Sequence, residues 1–310
     1  MTRGGQKAKG RAVDGVLVVD KPPGMSSNDA VQRAKRIYRA RKVGHTGSLD
    51  PLATGVLPLC FGEATKFSQY LLASDKKYWA RIRLGVRTDS GDADGEVVQT
   101  RPVVGITPAR VEEALAEFRG EIDQIPSMFS AVKHQGQPLY KLARQGIEVE
   151  RASRRVTIYS NELKCLEGEE LELEIHCSKG TYVRTIAEDL GERLGCGAHV
   201  SALRRLKAGP YVEADLVTFE MLEHVADDGG FAALDALLLP TSSAVRDWPP
   251  VTLTQATAYY VRQGQPVIVA HAPPEGWVRL LEGSQSEFIG VGEILDDGRV
   301  APRRLLAAHE

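Results

Sequence analysis

The chain has 310 residues and a net charge of −2, and its hydrophobic (43%) and charged (26%) fractions are typical of a soluble globular protein. No apolar run is long enough to span a membrane, and the amino terminus lacks the apolar core of a signal peptide, so we expect a cytoplasmic protein. The four cysteines form no CxxC pair, which argues against a zinc ribbon or a disulfide framework.

Basic residues form local clusters along the chain. Residues 1–13 are basic and contain few large apolar side chains, which predicts a disordered arm. A second cluster lies between residues 33 and 42, and its members include the candidate phosphate contacts Arg36, Arg39, Arg41 and Lys42. Taken alone, such a cluster could equally be a solvated helix face.

Apolar periodicity predicts strands and helices in an irregular order. Strands are expected at residues 16–19, 56–61, 77–84, 171–175, 277–281 and 288–294. Helices are expected at residues 30–38, 64–72, 108–118, 139–144 and 182–194. Because hairpin-like turns join the strands and no regular βαβ repeat is present, we predict an α+β fold built on a largely antiparallel sheet with flanking helices.

A domain boundary is predicted near residue 250. An Ala- and Leu-rich segment ends there in the sequence Asp-Trp-Pro-Pro at 247–250. The boundary divides the chain into a basic arm (1–13), a large domain (14–250) and a small domain rich in β-strands (251–310).

The most distinctive segment reads GHTGSLDPLATG at residues 44–55. Its glycines and proline predict a loop, and Pro51 pushes the backbone of Asp50 toward an extended conformation. The loop thus presents one carboxylate just after the basic residues 33–42, which suggests chemistry on a polyanion. Without further context, an Asp-Pro pair is more often a structural turn.

Several motifs, in order along nearly the whole chain, resemble those of the TruB family, the bacterial tRNA pseudouridine synthases that act on the T-loop uridine at position 55. They are GVLVVDKPPGMSS at 15–27, GHTGSLDPLATGVLPLC at 44–60, GEATK at 62–66, QIPSMFSA at 124–131, SKGTYVRT at 178–185 and RVAPRR at 299–304. The resemblance implies that residues 14–250 are a pseudouridine synthase catalytic domain. It also implies that residues 251–310 form a small PUA-like β-barrel that binds RNA.

The resemblance implies catalytic roles for three residues. Asp50 matches the family's essential aspartate, Arg184 matches the arginine that pairs with it, and Tyr78 matches a tyrosine that stacks on the flipped uracil and can help to move its C5 proton. Without the resemblance, Arg184 would be a surface arginine and Tyr78 a core aromatic. A positive charge is unfavourable in the first turn of a helix, so a specific partner is the better explanation for Arg184.

Further matches imply contacts with the substrate. Tyr182 and Leu203 match residues that line the family's uridine pocket together with Tyr78, and His45 matches a histidine that stacks in the opened T-loop. Lys21 is interpreted as structural, supporting the loop beneath the site.

The implied reaction isomerises uridine to pseudouridine: the N1–C1′ bond breaks, uracil rotates, and C5 bonds to C1′. No redox step or energy source is needed, and the chain has neither a GxxxxGK[ST] loop nor an HExxH motif, so no cofactor and no metal are expected. The expected partner is the T-arm and elbow of tRNA, and we expect a monomer.

Three points stay open at the level of sequence. The chain could be an RNA-binding or RNA-folding factor whose pocket is secondary. It could also be a pseudouridine synthase that acts on another RNA. Finally, Asp50 could attack C1′, attack the base or remove a sugar proton.

Overall fold

The computed structural model describes residues 10–307. Most of the predicted basic arm, residues 1–9, lies outside the described residues. Its last residues are held against the large domain, because the Arg11 guanidinium donates to the Asp235 carboxylate and the Arg11 backbone bonds to Arg39 and Arg41. The predicted disorder therefore does not extend to residues 10–13, since partners distant in sequence fix them.

The large domain contains long strands separated by short helices. Its strands are β1 (Gly15–Lys21), β2 (Val43–His45), β3 (Thr54–Phe61), β4 (Lys76–Leu84), β5 (Val86–Thr88), β6 (Val97–Thr100), β7 (Gly120–Gln124), β8 (Lys133–His134), β9 (Gln137–Pro138), β10 (Arg154–Glu167), β11 (Glu170–Cys177), β12 (Ala198–Ala208) and β13 (Tyr211–Val212). Its helices are α1 (Ser27–Ile37), α2 (Ser68–Leu72), α3 (Pro108–Ala116), α4 (Leu139–Ala143), α5 (Val183–Leu194) and α6 (Phe219–Asp235). Short 3-10 helices lie at Gly62–Lys66, Glu213–Asp215 and Thr241–Val245.

The long strands form one sheet in the order β1-β3-β12-β4-β11-β10-β7. Neighbouring strands are antiparallel except β3 and β12, which run parallel where Thr54 and Gly55 lie beside Arg204 and Arg205. The predicted α+β fold with a largely antiparallel sheet is confirmed.

Sequence alternation explains the centre of this sheet. On β11, Leu171, Leu173 and Ile175 are fully buried, whereas the glutamates between them are half-exposed on the opposite face. Ala80 and Ile82 of the adjacent strand β4 join the same core. Burying a leucine or isoleucine side chain stabilises the fold by about 1.5–3 kcal/mol, so a shift of one residue in register would be strongly disfavoured.

Local sequence signals explain where α1 begins and where α5 ends. The Ser26 hydroxyl accepts from the Asp29 backbone at the start of α1, and the Asp29 carboxylate accepts from the Ser26 backbone in return. Helix α5 ends at Gly195, whose φ of 83° is left-handed and suits glycine. Within residues 10–307, none of the helices has the length and apolar character needed to cross a membrane.

The three longest elements that were not predicted are β12, β10 and α6, and each has a physical reason. Strand β12 mixes apolar and basic residues without clean alternation, because it buries Arg205. Strand β10 contains two register shifts that break its periodicity. Helix α6 is interrupted at Gly230, where the backbone is not helical. The helix predicted at 64–72 is divided into the 3-10 helix at Gly62–Lys66 and α2.

The small domain is a four-stranded sheet with one helix. Its elements are β14 (Pro250–Leu253), α7 (Gln255–Arg262), β15 (Gly276–Glu282), β16 (Glu287–Ile294) and β17 (Val300–Leu305). Strands β14 and β15 are parallel, and the β15-β16 and β16-β17 pairs are antiparallel. Asp297 and Gly298 form the turn between the last two strands, where the Asp297 carboxylate accepts from the Arg299 backbone.

An aromatic joint connects the two domains. We use this name for Phe67, Tyr70, Trp248, Trp277 and Phe288. Phe67 and Phe288 have ring centroids 5.5 Å apart, and Tyr70 lies 5.0 Å from Trp248 and 5.3 Å from Trp277. The small domain is thus fixed to the segment that includes α2, directly ahead of β4.

Candidate active site

A cavity of about 440 Å³ opens at the end of the central sheet where β4 begins. Its walls come from the loop after β2, the start of β4, the start of α5 and the end of β12. Five of the predicted site residues line it, namely Asp50, Tyr78, Tyr182, Arg184 and Leu203. These residues lie far apart in the sequence, so the fold itself assembles the site.

Asp50 and Arg184 form an ion pair in this cavity. The Arg184 Nε lies 2.9 Å from the Asp50 Oδ2. The Arg184 side chain is only 4% exposed, whereas the Asp50 side chain is 36% exposed. The carboxylate therefore faces the open cavity, and the guanidinium holds it from behind.

Arg184 is fixed by acceptors on its other sides. Its guanidinium donates to the backbone oxygens of Ser90 at 2.8 Å and Phe129 at 3.2 Å. The Asp92 carboxylate lies 3.4 Å away and also accepts from the Ser90 hydroxyl. A planar guanidinium held at several points has one orientation, so it presents Nε to Asp50 in a fixed direction.

A buried amide sets the entry to α5. The Gln124 side chain accepts from the Tyr182 N–H at 2.9 Å and donates to the Tyr182 carbonyl at 3.2 Å. Tyr182 precedes the helix, and its own side chain makes no cap hydrogen bond. Gln124 thus fixes the backbone of Tyr182 while its side chain lines the cavity.

Opposing influences act on the Asp50 carboxyl. Burial raises its pKa above the usual range, and the Asp92 charge acts in the same direction. The charge and hydrogen bond of Arg184 lower the pKa, and the Lys21 charge also lowers it. Ionisation of Asp50 in the cavity therefore depends on Arg184.

Lys21 supports the loop at residues 44–55, which carries Asp50, from beneath. Its side chain is fully buried, and its Nζ donates to the backbone oxygens of Met25 at 2.6 Å, Pro22 at 2.9 Å and Pro51 at 3.2 Å. Burial lowers its pKa to about 8, although the Asp50 charge acts against this shift. This placement agrees with the structural role expected for Lys21.

Tyr78 lies where β4 enters the cavity. Ala80, Ile82 and Leu84 lie on the same face of β4 as Tyr78 and belong to the hydrophobic core. Tyr78 is half-buried at the edge of this core. Burial raises the pKa of its hydroxyl, the charge and hydrogen bonding of Arg205 lower it, and Cys177 and Asp50 raise it. The neighbouring strand β12 contributes Leu203 to the same wall.

Arg205 was not among the site residues expected from the sequence, yet it lines the cavity and is only 1% exposed. Its Nε donates to the Val56 carbonyl at 2.7 Å, and its terminal nitrogens contact the Gly47 carbonyl at 3.2 Å and the Ser48 carbonyl at 3.5 Å. These carbonyls flank Asp50 on both sides. Nothing in the sequence distinguishes a buried arginine from the half-exposed arginine beside it on the same strand. The burial of Arg205 could therefore not be predicted.

Other cations of the cavity were also not predicted as site residues. Lys76, Lys133 and Arg154 line it. The buried Ser130 also lines the cavity, and its hydroxyl has no hydrogen-bond partner among residues 10–307. The strand pattern of β4 does not distinguish Lys76 from the exposed basic residues that follow it on the strand.

The other predicted contacts lie away from the cavity. The basic residues Arg36, Arg39, Arg41 and Lys42 are exposed at the end of α1 and before β2, and none of them lines it. His45 ends β2, where its Nδ1 accepts from the Gly47 backbone at 3.3 Å. Burial lowers the pKa of His45, and the Arg205 charge adds to this effect. His45 is therefore neutral at pH 7.

The donor set offers no metal centre in the part of the chain that the structure describes. No three His, Cys, Asp or Glu side chains of residues 10–307 are grouped to hold an ion. The cavity instead provides carboxylate, phenol and guanidinium groups.

Family profiles match most of the chain. Residues 35–183 match the TruB family pseudouridylate synthase (N terminal domain), and residues 184–246 match the tRNA pseudouridylate synthase B C-terminal domain. Residues 249–306 match the profile named Pseudouridine synthase II TruB, C-terminal.

Relatives similar over nearly the whole chain share the name tRNA pseudouridine synthase B. The tRNA pseudouridine synthase B of Serratia proteamaculans (strain 568) is 56% identical over 309 residues, covering 98% of both chains. That of Coxiella burnetii (strain Dugway 5J108-111) is 56% identical over 296 residues and covers 96% of both.

Solved structures share the fold. A Cbf5-Nop10-Gar1 complex contains a chain with a TM-score of 0.72 and 26% identity, and the match covers 94% of this chain and 84% of that one. An H/ACA RNP bound to a substrate RNA containing 2′-deoxyuridine contains a chain with a TM-score of 0.72 and 23% identity, covering 98% and 92%. With 56% identity over nearly its full length, the chain belongs to the TruB family and is a pseudouridine synthase.

Proposed function

We propose that this enzyme isomerises uridine 55 in the T-loop of tRNA to pseudouridine, with Asp50 as the catalytic carboxylate and without a cofactor. The names of the relatives at 55–56% identity support tRNA as the substrate. The structural neighbour described with a substrate RNA is consistent with an RNA-binding cleft on this fold.

The observation that carries the proposal is the Asp50–Arg184 pair in the wall of the cavity. Breaking the N1–C1′ bond leaves an electron-poor sugar carbon, as in glycoside chemistry, where a carboxylate stabilises or traps that carbon. An ionised carboxylate with a raised pKa, turned toward the cavity, suits that role. A protein that only binds RNA has no need for a carboxylate held in this way.

The cavity suits a single flipped nucleoside. Extruding a base from its stack costs a few kcal/mol, and stacking on an aromatic ring recovers about 1–3 kcal/mol per base. Tyr78 and Tyr182 line the cavity and can provide such surfaces, with Leu203 as an apolar contact. His45 is neutral and lies one loop away, which suits stacking on a second, neighbouring base of the opened T-loop.

We assign different tasks to different surfaces of the molecule. Residues 14–250 contain the whole cavity and act as the catalytic domain, whereas residues 251–310 act as a PUA-like RNA-binding module. The exposed cluster Arg36, Arg39, Arg41 and Lys42 holds phosphates of the T-arm and elbow. We further propose that the enzyme acts as a monomer.

The test is incubation of the enzyme with an unmodified tRNA transcript, followed by mapping of pseudouridine at single-nucleotide resolution. A transcript with cytidine at position 55 is the matched control. We expect pseudouridine at position 55 and none in the control. Tight binding without conversion would favour an RNA-binding factor, and conversion only elsewhere would overturn the assignment to position 55.

A further inference from the structure

Arg205 is a buried cation of the site that the reaction outlined above does not use. Its guanidinium has five N–H groups, and its bonds to the carbonyls of Val56, Gly47 and Ser48 occupy three of them. The other two remain for the cavity, which Arg205 lines.

The adjacent arginine provides an internal comparison. Arg204 is half-exposed and forms ion pairs with the Asp20 and Glu213 carboxylates. Within residues 10–307, Arg205 forms no ion pair with a carboxylate, although it is almost fully buried. Neutral donors could hold carbonyls equally well, and burying a charge is costly. The positive charge at this position therefore requires another explanation.

Tyr78 is a titratable group whose pKa the Arg205 charge lowers. Arg205 and Tyr78 are directly opposite each other in the β12-β4 pairing, and both line the cavity. The charge of Arg205 reaches other groups of the site as well, since it lowers the pKa values of Lys21, His45 and Lys76.

We propose that Arg205 is a positioning residue that links the Asp50 loop to Tyr78 and stabilises the phenolate form of Tyr78 during the isomerisation. This inference rests on the proposed function. It adds a second arginine to the site, with a task different from that of Arg184. Arg184 keeps a carboxylate ionised, and Arg205 favours ionisation of a phenol.

The proton balance of the reaction explains why a phenolate at Tyr78 is useful. When the N1–C1′ bond breaks, its electron pair stays on N1. When C5 bonds to C1′, C5 must lose its hydrogen as a proton. The Tyr78 phenolate oxygen accepts that proton and later releases it to water, while N1 takes a proton from water.

The groups that face Tyr78 act in opposite directions. Arg205 on β12 lowers its pKa, whereas Cys177 at the end of β11 and Asp50 in the loop raise it. Lys76 on the same strand and Arg184 at the start of α5 line the same cavity. Arg205 is thus the cation paired directly across from Tyr78, and its loss should raise the pKa of Tyr78 further.

The test is a double-mutant cycle on single-turnover tritium release from tRNA transcribed with 5-tritiated uridine. The variants are Arg205→Gln, Tyr78→Phe and their combination, with Arg204→Gln as the matched control. We expect Arg205→Gln to slow release by about 10²-fold in the wild-type background and much less in the Tyr78→Phe background. Arg204→Gln should stay close to the wild-type rate. Equal losses in both backgrounds would show that Arg205 is only a clamp for the loop and would overturn the proposal.

Arg205→Lys keeps the inference testable if the glutamine variant folds poorly. We expect it to recover part of the rate, because the charge remains, and to keep the wild-type pH dependence of tritium release. In Arg205→Gln the dependence should shift to higher pH. A lysine variant with the same rate and pH profile as the glutamine variant would contradict a role for the charge. Pseudouridine at position 55 is mapped separately in RNA treated with the wild-type enzyme, so failure of the proposed function is distinguished from failure of this inference.

Discussion

At the scale of single residues, the site contains the Asp50 carboxylate, whose pKa is shifted in opposite directions by burial and by its partner Arg184. Burial raises the pKa of Asp50, and Arg184 lowers it. In the proposed mechanism, the Asp50 carboxylate that Arg184 holds as an ion pair supplies the charge that the reacting sugar needs, and its raised pKa makes it more basic than a solvated carboxylate.

Replacing Arg184 by alanine should therefore shift the pH dependence of the reaction. The pKa of Asp50 rises when its charge partner is removed, so the acidic limb of the pH–rate profile moves to higher pH and the rate at neutral pH falls. Arg184→Lys should be intermediate, because it keeps the charge but loses the planar fork. Single-turnover rates across pH measure this effect. A wild-type rate with an unshifted acidic limb would contradict the pairing.

The residues of the site differ in how far the sequence revealed them. Asp50, Tyr78 and Arg184 were identified through the resemblance to the family, and the structure brings them to one cavity. Arg205 was not identified, because burial is a tertiary property and its sequence neighbours are also basic. Lys76 escaped notice for the same reason.

At the scale of elements, α2 connects the site with the small domain. The Lys76 Nζ donates to the last carbonyls of this helix, those of Leu71 and Leu72, at 3.1 Å each. A cation at a helix C-terminus is favourable. Leu72 and Lys76 also line the cavity, so the helix end forms part of its wall.

The buried Lys76 should give stability a measurable pH dependence. Burial lowers its pKa to about 8 from 10.5, so between these values the unfolded chain binds more protons than the folded one. The stability of the wild type relative to Lys76→Met should therefore rise with pH across this window, by at most about 3 kcal/mol. Urea unfolding of both proteins at several pH values provides the comparison. A difference that does not vary with pH would mean that Lys76 titrates normally.

The basic cluster at the end of α1 is the element proposed to hold phosphates. Neutralising Arg36, Arg39 and Arg41 together should weaken tRNA binding and reduce its log–log salt slope by about 0.7–0.9 for each phosphate that is no longer neutralised. Turnover at saturating tRNA should change far less, since none of the three lines the cavity. Binding isotherms at several salt concentrations measure the slope. An unchanged slope would show that this face does not bind RNA.

The elements themselves were predictable where one face is apolar. Leu171, Leu173 and Ile175 indicated β11, and the apolar spacing over residues 30–38 indicated α1. The longest strands that were missed, β10 and β12, have bulges or buried charges, so their pattern depends on neighbours distant in sequence.

At the scale of the whole molecule, the two domains share an apolar interface. Phe67 and Phe288 belong to different domains, and Trp248 lies between them in sequence at the domain boundary. Aromatic pairs contribute about 0.5–1.5 kcal/mol each beyond their buried area, so the joint adds to the stability of both domains.

Loss of the aromatic joint should therefore reduce the stability of the protein more than the rate of the reaction. We expect Phe288→Ala to lower the free energy of unfolding by about 2–4 kcal/mol, since Phe288 is only half-buried. Deletion of residues 251–310 should lower it further, because Phe67 and Tyr70 become exposed. The single-turnover rate of Phe288→Ala at saturating tRNA should remain close to that of the wild type. A folded variant with wild-type stability but no activity would contradict this view of the joint.

The central claim is that the Asp50 carboxylate performs the isomerisation. Asp50→Asn is nearly isosteric and removes only the charge, so it separates catalysis from binding. The decisive measurement is pseudouridine at position 55 of an unmodified tRNA transcript under single-turnover conditions, together with the dissociation constant for the same RNA. We predict no pseudouridine above background in the variant and a dissociation constant close to that of the wild type. Pseudouridine formed above background by Asp50→Asn would contradict the account.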